Sequence, residues 1–138
     1  MNFPEFDKLK IFTLEEAQKT LPYVKKIVED LQLSAKRFRY FSKILQDLVR
    51  NRPVQEEITK EDVKLKIEEL EQEIRGILNE LEEVGCLSKG AINGLVDWLA
   101  IRENGEQVWL CWQLGEKEIE FWHTLEGGFR SRQPVSTL

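Results

Sequence analysis

The residues of this chain best equipped for chemistry crowd into one short stretch. Its single histidine, His123, all four tryptophans and one of the two cysteines, Cys111, fall within residues 98–123, WLAIRENGEQVWLCWQLGEKEIEFWH. Three kinds of chemistry follow from these residue types. A nucleophilic thiol would need Cys111 within hydrogen-bonding reach of His123 acting as base. A metal site could draw on His123, Asp97, Glu118, Glu120, Glu126 and the cysteines. The paired Cys or His spacing of structural zinc is missing, so the metal reading is a carboxylate-rich site for iron, manganese or magnesium around Asp97, Glu118 and His123. An anion site would use the Gly127-Gly128 backbone with Arg130 and Arg132 as bidentate clamps, unless those arginines simply pair with Glu116, Glu118 or Glu120. No spacing names a cofactor.

The elements that must carry these residues divide at about residue 90. From Leu14 the apolar positions step by three and four through Ala17, Leu21, Val24, Val28, Leu31, Ala35, Phe38, Leu45 and Val49, interrupted only by Ser42. That heptad seam, opened by a capping box of Thr13 and Glu16, predicts a helix over 14–50, bent or loosened near Pro22. A second seam, Val63, Ile67, Leu70, Ile74, Ile77, Leu81 and Val84, predicts a helix over 60–85 with Gly85 as its C-terminal cap. The first helix is net basic and the second net acidic. Joined by a short connection, they fold back as a coiled-coil-like antiparallel hairpin. Phe41, Ile44 and Leu48 widen the first stripe beyond what one partner helix covers, which points to a homodimer.

From Leu95 the period becomes two, and Asn104-Gly105 is a strong hairpin signal. With two-residue turns at Asn104-Gly105 and Gly115-Glu116, three strands span 95–102, 107–114 and 117–123. The register then puts Leu95, Asp97, Leu99, Ile101, Val108, Leu110, Trp112, Leu114, Ile119, Phe121 and His123 toward the core. Trp98, Trp109 and Trp122 gather on the other face as an aromatic ladder. Such a patch calls for a cover: a helix, a second subunit or a ligand. The same register separates Cys111 from His123, which argues against the nucleophilic pair. Slipping the third strand by one residue would unite them but turn Glu118 and Glu120 into the core.

Composition narrows the classes further. With 41% apolar and 33% charged residues over 138 positions, the chain suits a single folded domain rather than a disordered one. It has no apolar run long enough for a membrane span, and MNFPEFDKLKIFT lacks the pattern of a secretory signal, so the expected compartment is the cytoplasm. The segment KRFRYFSK, residues 36–43, resembles a nucleic-acid patch, but Phe38 belongs to the seam and the net charge of −5 opposes phosphate binding.

The segments FTLEEAQKTLPYV, GLVDW, LCWQLGEKEIEFWH and LEGGFRSRQPV together resemble the small bacterial proteins of the domain of unknown function 2203 family. The resemblance spans nearly the whole chain and picks out Asp97, Cys111, Trp112, Gly115, Glu116, Glu118, Trp122, His123, Phe129, Arg132 and Gln133. Gly127-Gly128 departs from the family's small-residue-plus-glycine pattern. The family implies boundaries for the chain and no activity.

The expected fold is therefore α+β: a long antiparallel helical hairpin, a small three-stranded antiparallel meander over 95–123 and a tail over 124–138. Two functions compete. One is an interaction or assembly module that presents Trp98, Trp109, Trp122, Arg130 and Arg132 to a protein partner or a second copy. The other is a small-anion or metal-binding protein, or an enzyme, built around Asp97, Glu118, His123 and Arg132.

Overall fold

The computed structural model describes residues 9–55 and 57–138. Helix α1 runs Leu14–Val49 and α2 Lys60–Val84. Thr13 and Glu16 close the expected capping box on α1, and Gly85 ends α2 in the left-handed region at φ 103°. The first helix is continuous through Pro22, which faces solvent. The helices pack together along their apolar seams, with Val24, Val28, Leu31, Val63, Leu70 and Leu81 almost fully buried.

The sheet is larger than the three-stranded meander the sequence predicts. Strands β1 (Leu87–Gly90), β2 (Leu95–Ile101), β3 (Gln107–Gln113), β4 (Phe121–Thr124) and β5 (Gln133–Pro134) form one antiparallel sheet in chain order. The added strands are short and lie at the edges, with four and two residues respectively, so they carry little periodicity to read. The 124–138 segment is correspondingly no free tail. Its β5 pairs with β4, and Val135 N–H donates to Glu120 O at 2.9 Å.

The register also differs by one residue, and the cause lies in the β2–β3 turn. Arg102 N–H donates to Glu106 O (2.8 Å), Gly105 N–H donates to Arg102 O (2.9 Å) and Gly105 sits at φ 88°. This is a three-residue loop with a left-handed glycine rather than a two-residue turn at Asn104-Gly105. Adding one residue to the loop reverses the face of every side chain relative to the partner strand. Asp97 therefore pairs with Cys111, Trp98 with Leu110 and Leu99 with Trp109. The next pairing is likewise shifted, with Trp109 opposite His123 and Leu110 opposite Trp122.

The core face consequently carries Val96, Trp98, Ala100, Val108, Leu110, Trp112 and Trp122, packed in one cluster with Ala17, Leu21, Val24, Ile27 and Val28 of α1 and Leu81 of α2. Each indole there finds an acceptor for its N–H: Thr20 Oγ1 for Trp98 (3.0 Å), Glu116 O for Trp112 (2.9 Å), and Pro134 O with Thr137 Oγ1 for Trp122 (3.1 and 3.0 Å). The opposite face carries Asp97, Trp109, Cys111 and His123. The expected ladder of Trp98, Trp109 and Trp122 on one face is thus divided between two.

The connection before β4 is held down by a side chain instead of a ladder. Gln18 Nε2 donates to Ile119 O at 3.0 Å, and Ile119 N–H donates to Gln18 Oε1 at 2.9 Å. Ile119 is 1% exposed, so losing this clamp leaves two backbone groups without partners in an apolar setting. Gln18→Ala should cost about 1–3 kcal/mol in urea unfolding; an unchanged denaturation midpoint would show that solvent replaces the clamp.

Candidate metal centre

Three neighbouring strands each place one donor on the outer sheet face. Asp97 of β2 stands directly across from Cys111 of β3, and His123 of β4 lies diagonal to Cys111, across from Trp109. Alternation along each strand does the rest, because residues of matching parity project to one side. The carboxylate, thiol and imidazole donor atoms lie within 4.8 Å of one another. Asp97, Cys111 and His123 are 1%, 2% and 4% exposed, a depth at which polar groups need partners.

The hydrogen bonds fix how these groups are used. His123 Nδ1 lies 2.8 Å from Thr124 O. A carbonyl oxygen only accepts, so Nδ1 carries a proton and donates it. That leaves Nε2 facing the cluster, 3.0 Å from Asp97 Oδ2. Without a metal, this contact is attractive only if a second proton lies between the two atoms; with the carboxylate ionised, the imidazole is a cation. Burial alone pulls the imidazole pKa down, but the Asp97 and Thr124 hydrogen bonds and the Asp97 charge outweigh it and hold it above its ordinary value. Asp97 Oδ1, by contrast, has no hydrogen-bond partner among the described residues.

The same geometry removes the nucleophilic reading. His123 spends one nitrogen on a backbone carbonyl and the other on Asp97, leaving neither to relay a proton between Cys111 and a carboxylate. The Cys111 thiol is pushed up to about 12 by burial first and then by the Asp97 charge, with Arg132 offsetting part of it. Cys86, buried elsewhere beside Leu81 O, is also pushed up to about 12, by burial.

The other predicted site residues are distributed differently. Glu118 is exposed and lines a separate groove with Gln18, Pro22, Lys25 and Lys117, so it does not join Asp97 and His123. Arg132 is committed to a bidentate pair with Glu116, at 3.0 and 2.9 Å, and stacks on the rings of Phe121 and Phe129. Arg130 is exposed. The Gly127 and Gly128 amides donate to Thr124 and Ser131, closing a turn rather than pointing into an anion cradle. Trp98 and Trp122 are core residues, and only Trp109 shares the outer face with the cluster.

Sequence reasoning had Asp97 and His123 but lacked Cys111 as their neighbour. The signal was present in the slipped third strand, which unites Cys111 and His123. Its apparent cost, burying Glu118 and Glu120, does not arise because β4 begins only at Phe121 and both glutamates remain exposed.

A helical hairpin bearing an antiparallel sheet, with a buried Asp–Cys–His cluster on the far face, defines an α+β protein with a candidate metal centre. The chain belongs to the family described as uncharacterized conserved protein (DUF2203), which it matches over residues 10–135, a span containing all three donors. No curated protein and no solved structure matches it.

The raised His123 pKa has a stability consequence in metal-free protein. Folding binds this proton more tightly than the unfolded chain does, so the contribution is full below the ordinary imidazole value of about 6.5 and is lost as pH rises through the higher folded value. Urea unfolding in the presence of chelator should show that loss for the native protein, and His123→Gln should remove that part of the pH dependence. The same pH profile in both proteins would mean that His123 is not the titrating group.

Proposed function

We propose that this protein binds one divalent transition metal through Asp97, Cys111 and His123, leaving a fourth position for a non-protein ligand. The observation that carries this reading is the orientation of His123. Its Nδ1–H is held by Thr124 O while Nε2 faces the Asp97 carboxylate, with the Cys111 thiol in the same cluster of donors, the arrangement by which an outer carbonyl fixes the tautomer of a metal-bound imidazole. Asp97 Oδ1, with no hydrogen-bond partner among the described residues, supplies a second sign that the cluster's bonding is incomplete by itself.

The donor set favours metals of the zinc class. A thiolate and an imidazole suit zinc, cobalt and ferrous iron better than magnesium or calcium, which prefer all-oxygen shells. Three protein donors with one further position is the count found in catalytic rather than structural zinc sites. Around zinc, bond lengths of about 2.0–2.3 Å set tetrahedral donor separations of roughly 3.3–3.7 Å. The Asp97–His123 contact of 3.0 Å would then open slightly and the sulfur would close in. A divalent ion replaces the proton between Asp97 and His123 and displaces the thiol proton of Cys111, whatever the latter's pKa in metal-free protein.

Calorimetric titration with zinc at about pH 6.5, in buffers of different ionisation enthalpy, should show one site and release of about two protons per metal. Cobalt should give tetrahedral visible bands and a near-ultraviolet thiolate charge-transfer band. Cys111→Ser should abolish that band, and Asp97→Asn should weaken affinity at least about a hundredfold, with circular dichroism reporting whether each variant remains folded. Absence of metal binding, or a cobalt spectrum unchanged by Cys111→Ser, would overturn the proposal.

A second reading concerns the far half of the hairpin, where apolar side chains remain at the surface. Leu33 and Tyr40, one heptad apart on α1, are 62% and 51% exposed, and Leu65 on α2 is 56% exposed. They support pairing of two copies along the arm. Sedimentation equilibrium should then give a dimer that Tyr40→Glu dissociates; a concentration-independent monomer would exclude it.

A further inference from the structure

The cleft beside the cluster has chemistry of its own, and Lys89 gives it a charge. Strand β1 pairs Ser88 with Val96 and Gly90 with Leu95, so Lys89 is the extra residue of a β-bulge. Bulges re-aim side chains, and this one places Lys89 on the cleft beside Asp97, Cys111 and His123. The ammonium is steadied over the Trp109 ring, with Nζ 4.7 Å from its centroid. Trp109 is the cross-strand neighbour of His123, and the Lys89 charge is felt at the imidazole.

The rest of the cleft is small and largely apolar. It encloses about 250 Å³, with Leu95 on one wall and Phe129 at the mouth, itself 42% exposed. A Cβ at Gly127 would displace Ser131 Oγ and Thr124 Oγ1, the hydroxyls that accept from the Gly128 and Gly127 amides in the turn that carries Phe129. Arg132 also reaches Cys111, but its pair with Glu116 offsets most of its charge, and Lys89, not Arg132, lines the cleft.

Resting on the metal reading above, we infer that the fourth ligand is a small monocarboxylate, bound through one oxygen to the metal and through its charge to Lys89. Charge counting sets the class. A divalent metal with one thiolate, one carboxylate and one neutral imidazole is neutral overall, so Lys89 leaves a single positive charge facing the cleft. One negative charge completes it, whereas a dianion would overfill it in a site with few further donors. The apolar walls admit a short aliphatic tail, and the volume matches a ligand of a few heavy atoms.

The test uses the cobalt-loaded full chain, titrated with acetate and butyrate at constant ionic strength, with acetamide as the neutral control. Both carboxylates should shift the visible cobalt bands saturably, butyrate at lower concentration, while acetamide leaves them unchanged. Lys89→Met should keep the cobalt spectrum of the parent yet bind acetate about tenfold more weakly, as loss of one nearby charge predicts. Bands indifferent to both carboxylates, equal response to acetamide, or unaltered acetate affinity in Lys89→Met would overturn the inference and leave the metal centre standing. Failure of the parent chain to give any cobalt spectrum would instead overturn the metal centre, and this inference with it.

Discussion

The hydrogen bond from His123 Nδ1 to Thr124 O governs what the outer sheet face can do. It is a local contact between a side chain and the next residue's carbonyl, yet it assigns the proton on the ring and so the role of the other nitrogen. Because Nδ1 is committed as a donor, Nε2 is the only basic atom the ring can offer, and it faces Asp97 Oδ2. Everything proposed for the centre follows from three donors converging where none can satisfy the others fully.

The rest of the fold serves to hold those donors still. Donors on β2, β3 and β4 keep their spacing only if the strands do, and the strands are anchored from behind by Trp98, Trp112 and Trp122 in the core cluster they share with α1. Each of these three indoles has its N–H satisfied, so the aromatic layer specifies one arrangement and not merely a greasy contact. The edges are secured as well. Phe12 N–H donates to Leu99 O at 2.7 Å beyond the end of β1, and β5 pairs along β4. A site built on interior strands with both neighbours paired loses little precision to loop motion.

Much of this architecture was legible from residue order. Both helices, their caps and the α+β class follow from periodicity and from Thr13, Glu16 and Gly85. The register was not, for a specific reason: Asn104-Gly105 fits a two-residue turn, but glycine in the left-handed region also completes a three-residue loop, and the two differ by one position. Parity then decides the whole outer face. Alternation could not arbitrate, since β2 and β3 are apolar on both faces, with Val108 through Trp112 buried without a break. Asp97 and His123 could be singled out by type, whereas the contribution of Cys111 and the bulge that aims Lys89 exist only once strands are paired.

The energetics of the metal-free cluster bear on why such a group of residues is there at all. A buried carboxylate bonded at one oxygen to an imidazole nitrogen and at the other to nothing among the described residues is a poor stabiliser, because desolvation offsets most of the attraction. Apolar side chains of similar volume would fill the same space at less cost. Under the proposed metal binding, such a cluster would gain when a divalent ion satisfied carboxylate, thiolate and imidazole together, and binding free energy would become folding free energy. On this view Asp97, Cys111 and His123 are a local deficit in the structure that the proposed ligation would convert into its tightest point.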